Sequence, residues 1–312
     1  MTSASPAPGA RAAVLGHPIG HSRSPLLHST AYRELGVGID YTAIDILPEQ
    51  AEQFAARLRT EPGWVGVSVT MPMKDALIPY VDEPSERVRR LGALNTIVVS
   101  RGADGVRLLA ENTDVEGIIR SLEGARTAGA PAPASGSVGQ SIAILGSGNT
   151  ALAALEACSL MGAATVELLV RNPERAQGAL ELARTLGLEA TALPYTEAAT
   201  RLPGYDAMIS TLPARAADTW VQALGLGARD GAESVGNTGV IKPGAVLLDV
   251  AYDPWPSALA TAWEAAGGVV VSGLSMLVHQ GVEQVKLFSG IQDADWGRVT
   301  NVMCDAVGLP RP

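Results

Sequence analysis

The sequence predicts an α/β protein of two domains, and three observations carry that prediction. Its 312 residues are about twice the usual single-domain length. Short apolar strand-like runs alternate with helix-length segments, the pattern of mostly parallel sheets covered on both faces. A Gly/Pro/Ala/Ser-rich stretch at 124–140 breaks the alternation, and a second α/β series begins after it.

The elements follow in order. A Pro/Ala/Ser leader, expected to be disordered, precedes the short apolar strand 11–16. The spacing from Pro25 to Leu35 predicts a helix, 41–46 alternates like a strand, and Ala51 to Arg59 reads as a helix. The β-branched run 64–70 is a third strand, followed by a helix from about Met73 and a strand at 96–100. The stretch 124–140 reads as a flexible surface loop. Beyond it come a strand at 141–146, a helix to Met161, a strand at 165–170, a helix to Leu186, and strands at 207–211, 246–250 and 268–273. A second loose segment, 225–239, reads as another loop, and no solenoid-length repeat occurs.

Composition narrows the function. Net charge is −9, against the basic stripe a nucleic-acid-binding protein needs to neutralise phosphates. Aromatic residues make up only 4%, so the core is expected to rest on Ala, Val, Leu and Ile. Cys158 and Cys304 both fall in helix-like patterns and are expected to be buried thiols; two cysteines allow no Cys-based zinc site. No uncharged apolar run reaches the length of a membrane span, and the N-terminus does not read as a signal peptide. His17, His21, His28 and His279 lack metal-hydrolase spacing; His21 and His28, beside a serine motif, are expected in loop or capping roles. A cytoplasmic enzyme with a small-molecule substrate, and with no nucleic-acid, membrane or metal partner, is the reading.

Two motif regions carry chemistry. Gly146-x-Gly148-x-x-Ala151 ends an apolar strand and opens a helix, the geometry of a dinucleotide site in a Rossmann-type domain. Gly146 permits the tight turn, Gly148 lets a pyrophosphate approach the backbone, and Ala151 allows close helix–strand packing. Amides through Ser147, Asn149 and Thr150 face the phosphates. Where an NAD site carries an acidic residue after the second strand, this chain runs into Arg171, Asn172 and Arg175. Guanidinium forks suit a ribose 2′-phosphate, so the expected cofactor is NADP; the alternative is a solvated helix start with Arg175 paired to Glu174. In the N-terminal half, polar residues sit at strand ends: Ser22 and Ser24 before a helix, Thr70 and Lys74 after a strand, Asn95 before another, and Asp114 opening a helix. Ligands of parallel sheets bind beyond the carboxyl ends of strands. For Ser22 and Ser24 the alternative is helix capping, for Lys74 a surface lysine, and for Asp114 a helix cap.

These motifs, HSRSP (21–25), VTMPMK (69–74), GALNT (92–96), ENTD (111–114), the glycine turn and LSMLVHQ (274–280), occur in the order and approximate spacing of the shikimate dehydrogenases, which the chain resembles over nearly its full length. The resemblance implies NADPH-dependent, reversible reduction of 3-dehydroshikimate to shikimate, in the route to chorismate and aromatic amino acids. It implies a substrate domain of 1–114 and 275–312, C-terminal helices returning to it, and an NADP-binding Rossmann domain of 115–274. By position, Lys74 and Asp114 become the catalytic pair: a carbonyl receiving hydride needs a proton donor or cation at its oxygen. Ser22 and Ser24 would meet the substrate carboxylate, with Tyr252 near it. Thr70, Asn95 and Gln280 would read ring hydroxyls. Val250 and Gly273 would approach the nicotinamide by backbone, and Glu86 matches a family position near the cofactor, with surface charge as its alternative.

The chain departs from the family pattern in having Ser147 and Asn149 in the glycine turn and Val170-Arg171-Asn172 after the second strand. Competing readings are a quinate or quinate/shikimate enzyme using NAD, and a non-catalytic NADP-binding relative. The pair Ser22/Ser24 favours shikimate, because quinate-acting relatives often carry Thr in this motif. A monomer and a homodimer are both compatible with the sequence.

Overall fold

The computed structural model describes residues 9–127, 140–223, 226 and 241–312. The leader, the loop expected over most of 124–140 and nearly all of the loop expected at 225–239 lie outside the described residues. The chain divides into two compact units, 1–117 with 277–312, and 118–276.

In the first unit, chain order runs β1 (Ala10–Gly16), α1 (Ser24–Leu35), β2 (Ile39–Asp45), α2 (Ala51–Thr60), β3 (Trp64–Val69), α3 (Met73–Ala76), β4 (Glu83–Pro84), α4 (Glu86–Leu91), β5 (Thr96–Gly102) and β6 (Gly105–Glu111). The strands form one sheet in the order β2-β1-β3-β5-β6-β4. β1 pairs parallel with β2 and β3, as the alternation predicts. β5, however, pairs antiparallel with both β3 and β6. Strand β6 and the two-residue β4 are missing from the sequence reading. The hairpin's local signal is slight: two residues separate Gly102 from Gly105, whose φ of +109° only glycine adopts readily.

Period-two alternation divides this sheet's two cores. Ala13, Leu15, Val67, Val69 and Ile97 face one way, against Phe54, Leu58 and Met73. Ala12 and Val14 face the other, against Leu27, Ala31 and Tyr32 of α1 and against Val278, Val282, Val285, Phe288 and Met303 from the chain's end. The C-terminal helices belong here because the second face of β1 is apolar and needs cover. Gly66 makes room for one of them: a Cβ there would lie 2.3 Å from Phe288 Cε1 and 2.7 Å from the Ile97 carbonyl.

Helix α5 (Asp114–Thr127) carries the chain into the second unit. There follow β7 (Gln140–Leu145), α6 (Asn149–Leu160), β8 (Ala163–Val170), α7 (Gln177–Thr185), β9 (Glu189–Pro194), β10 (Ala207–Ser210), α8 (Asp218–Ala223), β11 (Val246–Asp249), α9 (Ala258–Ala265) and β12 (Val269–Ser272). Helix α10 (Gly273–Ser289) returns to the first unit, which α11 (Trp296–Ala306) completes. All pairings of the second sheet are parallel, in the order β9-β8-β7-β10-β11-β12. Counted from β7 this is 3-2-1-4-5-6, the doubly wound dinucleotide-binding order, with its switch point between β7 and β10. Strand β9 is absent from the sequence reading. The scarce aromatics are concentrated inside: Tyr205, Trp220 and Trp263 join Leu145, Met208 and Leu247 in this unit's core. Cys158 and Cys304 are buried free thiols. Among the described residues no helix is long and apolar enough to cross a membrane, and no cluster of side chains could hold a metal.

Candidate functional site

In the first unit, four of the expected residues converge. Met73 opens the short α3 at the end of β3, so Lys74 points back to the sheet's carboxyl edge; Asp114 opens α5. The Lys74 Nζ and an Asp114 carboxylate oxygen form an ion pair, with the two residues only 7% and 5% exposed. Neither the surface-lysine nor the simple helix-cap alternative describes them. The second oxygen of Asp114 accepts from Asn95 Nδ2 at 2.8 Å. Asn95 Nδ2 also donates to Thr113 Oγ1 at 3.0 Å and lies 3.3 Å from Gln280 Oε1. Gln280 donates its own amide to the Leu277 carbonyl, and its oxygen faces Asn95 Nδ2 and Thr113 Oγ1. A buried, unpaired charge would cost several kcal/mol; here each charge has its counter-charge, and the Asn112 side chain holds the Asp114 backbone amide at 3.1 Å.

Ser22 and Ser24 lie before and at the start of α1. Ser22 Oγ accepts from the Ser24 amide at 3.3 Å, which leaves its proton free. The position that caps α1 is Arg23, and no side chain caps it, so neither serine is a conventional helix cap. Ser24 is buried. Thr70 follows β3 and is half-buried; its amide donates to the Leu15 carbonyl at 2.8 Å. Glu86, in α4, is on the surface near Arg90.

Sequence reasoning missed the polar interior behind this group. Tyr41 donates to Ser68 Oγ (2.7 Å), Ser68 to Gln284 Oε1 (2.7 Å), Gln284 Nε2 to Thr96 Oγ1 (2.9 Å), and Thr96 to Asn95 Oδ1 (2.7 Å). His28 is expected in a loop or capping role; instead it is fully buried in α1, stacked on Tyr41 at 4.0 Å. Burial pushes its imidazole down to about 3, against a smaller upward effect from Gln284. Because Gln284 Oε1 accepts at 3.3 Å, His28 Nε2 carries the proton, and Nδ1 accepts from Tyr32. One signal for Gln284 was available: it lies four residues after Gln280, on the same helix face.

In the second unit, a cavity of about 490 Å³ opens at the sheet's switch point, lined by Gly146, Ser147, Val170, Arg171, Asn172, Arg175, Leu212 and Trp220. Gly146 has φ +108°, and a Cβ there would sit 2.7 Å from Thr211 Oγ1, so the turn is a glycine turn by necessity. Gly148 is the extended N-cap of α6 and no side chain caps the helix, leaving the amides of Asn149, Thr150 and the buried Ala151 directed outward at the first turn. Arg171 and Arg175 are exposed at the cavity, and among the described residues neither is committed to a carboxylate, so the Arg175–Glu174 alternative is not what the structure has. Asn172 spends its oxygen on the Glu174 amide at 2.9 Å. The set fits a dinucleotide phosphate: open amides, a tight turn and two free cations. Gly273 lies against Val250, whose carbonyl oxygen would be 2.0 Å from an added Cβ. Tyr252, half-buried after β11, also belongs to this unit.

Residues 14–97 match the model of the shikimate dehydrogenase substrate binding domain, and 273–303 that of the shikimate 5′-dehydrogenase C-terminal domain. The chain is similar to a shikimate dehydrogenase (NADP(+)) of Shouchella clausii, 32% identical over 89% of this chain and 92% of that relative. It is similar to the crystal structure of Mycobacterium tuberculosis shikimate dehydrogenase, at 33% identity, TM-score 0.76, covering 95% of this chain and 99% of that one. A Thermus thermophilus shikimate 5-dehydrogenase solved with NADP(H) and shikimate aligns at 27% identity and TM-score 0.70, over 95% of this chain and 99% of that one.

Proposed function

The chain belongs to the shikimate dehydrogenase family, and from that premise we propose that it catalyses the reversible, NADPH-dependent reduction of 3-dehydroshikimate to shikimate. The observation that carries this reading is the buried Lys74–Asp114 pair, surrounded by the hydrogen-bonding groups of Asn95, Thr113 and Gln280. We assign the substrate to the first unit and NADP to the second.

The dinucleotide, when bound, supplies the hydride. The chain's task is then to stabilise the oxygen that becomes negative and to protonate it. The Lys74 ammonium does this, donating a proton to the alkoxide in reduction and receiving it in oxidation. Asp114 holds Lys74 in place and accepts from a ring hydroxyl. Asn95, Gln280 and Thr70 read hydroxyls, Ser22 and Ser24 bind the carboxylate, and Tyr252 adds a contact near it. On the cofactor side, the 146–151 turn binds the pyrophosphate, Arg171, Asn172 and Arg175 the 2′-phosphate, and Val250 and Gly273 approach the nicotinamide ring.

The test is kcat/KM for shikimate and for quinate, each with NADP and with NAD. Shikimate with NADP is expected to be fastest; the serine pair and the free arginines favour it. Preference for quinate with NAD would replace this reading by the quinate one. Calorimetric NADP binding without turnover of any cyclohexene or cyclohexane acid would mark a non-catalytic relative. We also place the protein in the cytoplasm, a reading supported by its unpaired buried thiols and checked by fractionation. Homodimer assembly would appear in light scattering as twice the 32.2 kDa chain mass.

A further inference from the structure

We propose that Gln284 is a positioning residue of this active site, setting the direction of a hydrogen-bond relay that ends on Asp114. The proposal rests on the dehydrogenase reading above and adds a residue to it. Tyr41, Ser68, Gln284, Thr96 and Asn95 form a chain in which each side chain donates to the next, and Asn95 donates to Asp114. The relay thus runs from Tyr41 in β2 to the proposed catalytic pair, by way of β3, α10 and β5.

Gln284 has its polarity locked. It is 1% exposed, and all its hydrogen-bonding capacity is used. Its oxygen accepts from Ser68 and from His28 Nε2; its amide donates to Thr96 Oγ1 and to the Asn95 backbone carbonyl at 3.0 Å. A flipped amide would set its oxygen against the Asn95 backbone carbonyl, which can only accept. Thr96 has a single proton. Because Gln284 donates to its oxygen, that proton goes to Asn95 Oδ1, which also accepts from the Thr113 amide at 2.8 Å. Asn95 is thus held with Nδ2 toward Asp114. With an acceptor-only group at 284, Thr96 would turn its proton away from Asn95, and the Asn95 side-chain oxygen would lose its shortest hydrogen bond. Aligned buried chains of this kind strengthen one another, and partly satisfied ones are costly.

The experiment compares Gln284→Glu, Thr96→Val and Thr96→Ser with the unchanged protein. Gln284→Glu and Thr96→Val are expected to lower kcat about 10- to 100-fold. The shikimate KM and the NADP Kd should change less than about threefold, an effect under 0.7 kcal/mol. Thr96→Ser keeps the hydroxyl and should retain activity. The double variant Gln284→Glu/Thr96→Val should be no slower than the slower single variant, because both break one relay. Independently of turnover, the Asn95 side-chain amide resonances should move in Gln284→Glu and Thr96→Val and stay in Thr96→Ser. Unchanged kcat in both, strictly additive losses, or unmoved Asn95 resonances would overturn the proposal. If Gln284→Glu fails to fold, the Thr96→Val and Thr96→Ser pair still decides it. If the unchanged protein turns over no shikimate, the functional reading fails, while the Asn95 resonances still report on the relay.

Discussion

His28 offers a prediction whose size follows from its burial. The imidazole titrates near 3 in the fold, held down by desolvation, against 6.5 in an unfolded chain. Between those values the unfolded chain binds a proton that the folded chain refuses, so stability rises with pH there. His28's contribution is fully present above about pH 6.5 and is progressively lost as pH falls toward 3. Between pH 7.5 and 5.0 the loss works out to about 2 kcal/mol. The perturbation is His28→Phe, which keeps a ring stacked on Tyr41 and removes the titration. At pH 7.5 the variant should be less stable by about 1–3 kcal/mol, because Tyr32 loses a buried acceptor. At pH 5.0 that gap should shrink by about 2 kcal/mol, since only the unchanged protein still carries the penalty. Urea denaturation at both pH values, read by hydrogen exchange in α1 and β1, isolates the first unit. A gap that is constant or wider at pH 5.0 would refute a buried neutral His28.

The remaining predictions concern the two proposed sites and the packing between sheet and helix. Lys74→Ala should lower kcat about 100- to 10,000-fold while raising the shikimate KM far less, as steady-state kinetics will show; robust turnover would remove Lys74 from its role. Arg171→Ala and Arg175→Ala should each weaken NADP binding about 10- to 100-fold and leave NAD binding nearly unchanged, measured by calorimetry. Gly66→Ala should destabilise the first unit by about 1–3 kcal/mol, because the Ile97 carbonyl cannot move aside as a flexible side chain would; an unaltered melting profile would contradict this. Burial pushes the Cys158 and Cys304 thiols up to about 12 and 11, so both should resist a thiol reagent at pH 8 until urea unfolds the chain.

What was legible in the sequence was what is local. The glycine turn, the arginines after β8 and the polar strand ends could be read because each needs only its own segment: a turn after a strand, a cation in place of an acid, a lysine at a carboxyl edge. The strand series of the second half likewise maps onto a parallel sheet, because strands buried on both faces are continuously apolar. The antiparallel β5–β6 hairpin was illegible, since its only marks are two glycines and an alternation too weak to distinguish from loop. His28 was misread for a related reason: beside a serine motif it looks like a loop residue, and only the arrival of Gln284 and Tyr41 makes it core.

The sequence by itself therefore determined the α/β class, the family and the residue types available for hydride-transfer chemistry. Tertiary structure alone decided that Lys74 and Asp114 share one buried ion pair, that Asn95 faces Asp114 with its amide, and that Gln284 connects them to Tyr41 and Ser68. Periodicity tells which face of a strand or helix is buried. It does not tell which other element, 188 residues away in the case of Thr96 and Gln284, will supply the partner atom that a buried polar group must have.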